Sequence, residues 1–134
     1  MMDCIFCEIA KGRIPCRKVY EDEDVLAFLD VNPVTYGHTL VIPKAHVESF
    51  RQADAETVGK VFGVACALGN EIANKLGAEG MNMLSNAGEA AGQTVPHFHV
   101  HLIPRYSDAQ KDRLQLAFGK VDADLDAVLR AIED

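Results

Sequence analysis

Three of the chain's five histidines stand at every second position of His97-Phe98-His99-Val100-His101-Leu102-Ile103, and apolar residues fill the gaps. Imidazole can ligate a metal, attack an acyl or phosphoryl centre through its neutral nitrogen, or hand a proton to a leaving group. Successive strand side chains point to opposite faces. An extended chain therefore sets the three rings in one row and turns Phe98, Val100 and Leu102 into a core. A helix, advancing ~100° per residue, would scatter them. The alternation predicts a half-buried strand with an imidazole face. Alternate positions lie about 6.6 Å apart, so the outer histidines are separated by about 13 Å. An ion with bonds of about 2.1 Å can gather an adjacent pair but hardly all three. The row must divide its roles.

Two further groups carry chemistry. In the connection before the row, Gly88 and Gly92 permit close backbone approach, and Asn86, Gln93 and Thr94 can donate hydrogen bonds to a phosphate. Cys4-x-x-Cys7 has the spacing of a zinc pair or a redox pair. A thioredoxin-like pair would follow a strand and open a substantial helix, whereas three residues precede this one. Zinc would need two more ligands, and the histidine row offers one. Cys16 and Cys66 have no partner pattern, and Cys66 is assigned to core packing on a long helix.

The elements that must position these groups follow in order. Residues 4–11 form a short helical turn that brings Cys4 and Cys7 together. Residues 18–21 and 25–30 read as strands joined by the acidic turn Glu21-Asp22-Glu23-Asp24. Residues 32–37, with Pro33 and Gly37, form a loop, and 38–43 a third strand. Asp54 caps a helix that runs to Leu76 and stops at Gly77. Its glycines, Gly59, Gly63 and Gly69, suggest a face packed closely against another backbone, such as a second subunit's. Residues 81–86 form a fourth strand and the histidine row a fifth; residues 107–120 are ambiguous, and 122–132 form a short terminal helix. The sum is an α+β domain: an antiparallel sheet of about five strands with one long helix packed on it.

Composition narrows the partners. At 134 residues, 49% hydrophobic and 25% charged, the chain reads as one soluble domain. A net charge of −7 without a basic run argues against a nucleic-acid polymer, so any phosphate site must be local. Met1-Met2-Asp3-Cys4 lacks the features of a secretion signal, and no apolar run approaches the ~20 residues of a membrane span. The chain is read as cytoplasmic, with thiols or metal ligands rather than disulfides.

Residues 92–103, Gly-Gln-Thr-Val-Pro-His-Phe-His-Val-His-Leu-Ile, resemble the signature of the histidine-triad (HIT) family, His-φ-His-φ-His-φ-φ with φ apolar. Cys4–Ile9, Val25–Asp30 and Gly37–Lys44 also resemble that family's segments, in its order. The resemblance covers residues 3 to about 106, leaving 107–134 as a C-terminal extension. It implies a HIT-like fold and nucleotidyl transfer or hydrolysis at the α-phosphate of a purine nucleotide conjugate. His99 would be the nucleophile that carries the nucleotidyl group, and His101 would handle the phosphate and assist the leaving group. Asn86, Gln93, Thr94 and the Val95 backbone match phosphate-contacting positions, and His38 a further histidine near the site. Asp30 matches a ribose-binding carboxylate. Ile5, Phe6, Ile9, Phe28, Val31 and Leu40 would line the base pocket, with plain core packing an equal alternative.

Metal-bearing relatives pair two cysteines with two histidines, and Cys4, Cys7, His46 and His97 can form such a structural zinc set. The opening segment with Asp30 resembles the adenosine phosphoramidase branch and its bacterial relatives, while Gln93-Thr94-Val95 with Pro104-Arg105 also suits dinucleoside polyphosphate hydrolases. The chain has no tryptophan, unlike the terminal segment of the eukaryotic phosphoramidases. A non-catalytic nucleotide-binding protein is a further alternative. The family is usually a homodimer through the long helix and a sheet edge, which would account for the helix glycines.

Overall fold

The computed structural model describes residues 4–134. Residues 1–3, where the reading of the N-terminus and the first residue of the family resemblance fall, lie outside the described residues. The Cys4 sulfur accepts the Cys7 N–H at 3.4 Å and opens helix α1 (Ile5–Ala10). Strands β1 (Lys18–Glu21) and β2 (Val25–Leu29) form a hairpin whose turn is held by Asp22, which accepts the N–H groups of Asp24 and Val25 at 2.8 Å each. Strand β3 (Thr39–Pro43) follows. Helix α2 (Ala55–Leu76) starts where Asp54 accepts the Thr57 N–H at 2.8 Å and ends at Gly77, with φ of 70°. Strands β4 (Gly80–Leu84) and β5 (Val100–Arg105) and helix α3 (Leu125–Glu133) complete the order. The five strands form one antiparallel sheet in the order β1-β2-β3-β5-β4.

Strand parity divides the core. Val25, Ala27, Val41, Val100 and Leu102 face α2, which answers with Val61, Ala65, Leu68 and Ile72. Leu26, Phe28, Leu40 and Ile42 face the other way, against Cys4, Phe6 and Cys7 of the α1 region. Each fully covered Val, Leu or Phe contributes roughly 1.5–3 kcal/mol, so both layers hold the sheet.

That second layer corrects the half-buried strand. The histidine face is roofed by α1, and His97 and His99 are buried, His97 completely. The ladder also begins later than the alternation suggested. Only His101 lies within β5, because residues 97–99 run beside the segment after β3, where the Phe98 N–H reaches the Val47 carbonyl at 2.7 Å. Parity nevertheless persists: Phe98 joins the α2 core, while His97 and His99 meet Phe6. Strand β4 ends at Leu84, which leaves Asn86 in the connection.

Cys66 is exposed, contrary to its assignment to the core. The buried stripe runs through Val61, Ala65, Leu68 and Ile72, and one residue past Ala65 is turned ~100° away from it. Gly59 and Gly63 face open space within the chain; Gly69 alone of the three packs closely, against Leu102 and Met81. Residues 115–124 hold no helix or strand, and the apolar stripe of α3 is exposed. Among the described residues no helix is long and apolar enough to cross a membrane.

Gly37 precedes His38 with φ of +91°, and a Cβ there would lie 2.5 Å from Leu76 Cδ1. Gly37→Ala is expected to cost more than about 1 kcal/mol through this strain and crowding. A lowered urea midpoint would register it; an unchanged midpoint would mean the loop and Leu76 yield freely.

Candidate functional site

His97 is held from both sides. Its Nε2 lies 2.8 Å from the Pro43 carbonyl, which can only accept, so the proton resides on Nε2. Nδ1 is left bare, 3.3 Å from Cys4 Sγ, 3.5 Å from Cys7 Sγ and 3.2 Å from His46 Nδ1. Cys7 Sγ stands 3.2 Å from His46 Nδ1, and the four ligand atoms lie within 4.8 Å of one another. A tetrahedral ion bonded to two nitrogens and two sulfurs spaces its ligands about 3.4–3.8 Å apart, close to these separations. The Pro43 bond is the outer support that fixes a ligating imidazole's tautomer. The cluster has the donor types and spacing to bind a metal ion, with no coordination position left for substrate.

His99 carries the opposite proton arrangement. Its Nδ1 donates to the His97 carbonyl at 2.7 Å, which leaves Nε2 with its lone pair free. The Phe6 ring packs edge-on against it, with centroids 5.1 Å apart, and the Ser85 hydroxyl donates to the His99 carbonyl at 2.6 Å. Nothing in the residue pattern singled out Ser85, since its role depends on β4 lying beside β5.

His101 receives its orientation through His38. The Val34 N–H, which can only donate, approaches His38 Nδ1 at 3.2 Å, so neutral His38 carries its proton on Nε2. That nitrogen lies 2.9 Å from His101 Nδ1, which must accept. The neutral His101 proton is therefore on Nε2. Asp30 lies 3.6 Å from His38 Nε2 and accepts the Asn32 N–H at 2.8 Å.

Asp30, His99 and His101 border a cavity of about 530 Å³. All seven residues expected to hold a nucleoside line it: Ile5, Phe6, Ile9, Phe28, Asp30, Val31 and Leu40. Thr94, Val95, His99 and His101 line it too, as do Ile14, Pro15, Cys16 and Arg17, which sequence reasoning passed over. Those four lie between α1 and β1 without a periodic pattern to flag them. Asn86 and Gln93 are not part of the lining. Gln93 accepts the Gly88 N–H at 2.8 Å and donates to the Glu48 and Val95 carbonyls at 2.7 and 3.0 Å, so its amide binds the loop together. The site thus joins an apolar slot, a carboxylate at its edge, and a bare imidazole nitrogen beside an imidazole N–H.

A profile of the HIT domain matches residues 11–108. The chain is 48% identical over 132 residues to an uncharacterised HIT-like protein of Methanocaldococcus jannaschii, covering 97% of this chain and 98% of that one. It is 41% identical over 104 residues to an adenosine 5'-monophosphoramidase of Schizosaccharomyces pombe, covering 78% of this chain and 75% of the relative. The crystal structure of a HIT-family member from Bacillus subtilis superposes with a TM-score of 0.90 at 41% identity, covering 98% of this chain and 96% of that chain.

Burial, and then the neighbouring His99 and His38 rings, push His101 down to about 4. Burial also lowers His38, against the opposing pull of Asp30. Both rings are held neutral near pH 7. An unfolded histidine takes up its proton around pH 6.5, so below that point the unfolded chain binds protons that the folded chain refuses. Their contribution to stability is whole above about pH 6.5 and declines as pH falls toward the folded values. The denaturant midpoint is expected to drop between about pH 7 and about pH 5, and a level midpoint over that range would contradict the burial argument.

Proposed function

The chain belongs to the histidine-triad (HIT) family, and on that premise we propose that it is a nucleotide hydrolase or transferase that works through a covalent nucleotidyl–histidine intermediate. The observation that carries this reading is the His99 Nδ1–H bond to the His97 carbonyl at 2.7 Å. It fixes the tautomer with a free Nε2, the form of imidazole that is nucleophilic. The base lies in the slot among Ile5, Phe6, Ile9, Phe28, Val31 and Leu40, and Asp30 accepts hydrogen bonds from the ribose hydroxyls. Thr94 and the Val95 backbone meet the α-phosphate, with Gln93 and Asn86 at the loop beside it.

His99 Nε2 attacks the α-phosphorus, forming a nitrogen–phosphorus bond as the bond to the leaving group breaks. The leaving group takes the proton of His101 Nε2–H. Water then attacks phosphorus, its proton returns to His101, and the nitrogen–phosphorus bond breaks to release the nucleoside monophosphate. Because His38 and His101 are kept neutral, the site binds phosphate through N–H donors rather than through imidazolium charge.

The preferred substrate class is an adenosine 5'-phosphoramidate, supported by the 41% identity to the Schizosaccharomyces pombe phosphoramidase. Zinc is the ion proposed for Cys4, Cys7, His46 and His97. When bound it would supply structural cross-linking, tying α1 to the segment after β3 and to the start of the histidine row, and take no part in the reaction. The second copy expected of a homodimer would pack on the long helix α2, where Gly59 and Gly63 face open space within the chain, and on a sheet edge.

One assay series tests these statements. The protein is incubated with an adenosine 5'-phosphoramidate and with a dinucleoside polyphosphate, each with and without chelator, and AMP release is followed. Faster release from the phosphoramidate is expected, surviving in chelator after metal loss is verified by elemental analysis. His99→Ala should lower turnover by at least about 10³-fold. Preference for the dinucleotide would reassign the branch, and normal turnover by His99→Ala would overturn the mechanism. Binding without release would leave a nucleotide-binding protein.

A further inference from the structure

Strand β5 ends at a partly buried charge pair, its Asp112 carboxylate covered and its Arg105 guanidinium 27% exposed, whose connections lead back to the histidines. Arg105 donates from Nε to Asp112 Oδ2 at 2.8 Å, from Nη1 to Asn82 Oδ1 at 2.7 Å and from Nη2 to the Leu114 carbonyl at 2.8 Å. Asp112 also accepts the N–H groups of Tyr106 and Leu114 at 2.9 and 3.0 Å, so its carboxylate is almost enclosed in donors. Residues 106–114 are thereby bent into a strap closed at its base by one ion pair.

The strap grips the loop between β2 and β3. The Tyr36 N–H donates to the Lys111 carbonyl at 2.7 Å, and the Tyr106 hydroxyl donates to the Tyr36 carbonyl at 2.6 Å. Thr35 forms a bridge with Asp112. Both backbone groups of Tyr36 are therefore fixed from the strap. Two residues earlier in the same loop, Val34 supplies the N–H that holds His38 Nδ1, and the Thr35 carbonyl accepts the His38 N–H at 3.2 Å.

We propose that Arg105, Asp112 and Tyr106 are positioning residues: the strap they form holds the loop at residues 34–36, and through the Val34 N–H and His38 it keeps the His101 proton on Nε2. The chain of donors runs one way. A backbone N–H cannot accept, so His38 must present Nε2–H, and His101 must then accept at Nδ1. If the loop drifts, His38 Nδ1 can carry the proton instead, and His101 loses the partner that specifies its tautomer. The consequence for turnover rests on His101 being the proton donor of the proposed reaction, whereas the tautomer itself does not. Sequence position alone hides the device, since Val34, His38, Tyr106 and Asp112 converge only through the fold.

The test uses the full chain with 15N-labelled histidine, and long-range nitrogen–proton correlations to read each ring's tautomer. In the unaltered protein His38 and His101 should both be Nε2–H. Tyr106→Phe, which removes one hydroxyl and leaves the ion pair, and Asp112→Asn, which weakens the base of the strap, should turn both rings into tautomer mixtures. kcat should fall about ten-fold while KM stays within about two-fold. If Asp112→Asn does not fold, Tyr106→Phe carries the test alone. An Nδ1–H His101 in the unaltered protein overturns the proposal, as do folded variants with unchanged tautomers; shifted tautomers with an unchanged kcat count against His101 as the proton donor and leave the strap's role standing. Failure of the unaltered protein to release any nucleotide, with the tautomers as stated, counts against the proposed reaction and leaves the strap's role standing.

Discussion

The buried ring of His97 ties together three stretches of chain that are far apart in sequence. One nitrogen reaches the carbonyl that ends β3, the other faces the sulfurs that open α1, and its own backbone carbonyl receives His99. Moving that ring would displace the roof of the site, the end of the central strand β3 and the nucleophile's proton in one step. The arrangement also shows why four donors converge there: helix α1 has six residues and is too short to hold a fixed position on its own propensity. Its place depends on the cluster and on Phe6, which packs against Phe28, His97 and His99.

From this anchor the three rings take different proton arrangements although they alternate along one short segment. His97 and His101 both carry the proton on Nε2, but the bare nitrogen of His97 faces sulfur while that of His101 faces His38. His99 between them is turned around, with Nδ1 protonated and Nε2 free. Each assignment follows from a partner that can act in one direction only, a carbonyl or a backbone N–H. Burial then keeps the rings uncharged. A chain of net charge −7 can thus receive a phosphate without a cationic patch, using oriented N–H groups in a small cavity.

Much of this was legible because it depends on local periodicity. The two-residue repeat at 97–101 sets Phe98, Val100 and Leu102 in a core and the imidazoles on the opposite face, but it carries no sign of the α1 roof that buries His97 and His99. Asp54 and Gly77 marked the ends of α2 to the residue. The donor clusters divide the row: His97 stands with Cys4, Cys7 and His46, and His101 with Asp30 and His38. What escaped depends on elements meeting in space. Ser85 acts because β4 pairs with β5, and Cys16 and Arg17 reach the cavity because the chain after α1 folds along its rim. Cys66 was misplaced because the amphipathic period tolerates an apolar residue just off the buried stripe. The start of β5 was placed too early because residues 97–99 keep the strand's alternation while bonding to the segment after β3.

In the proposed reaction one of the three aligned imidazoles forms a bond to phosphorus and the other two do not. Rapid mixing with an α-labelled adenosine phosphoramidate, quenching under alkaline conditions that preserve phosphorus–nitrogen bonds, and peptide mapping by mass spectrometry test it directly. A nucleotidyl group is expected on His99, formed at a rate no slower than turnover. A label on His38, His97 or His101 instead, or turnover proceeding with no protein-bound label at any time, would contradict it.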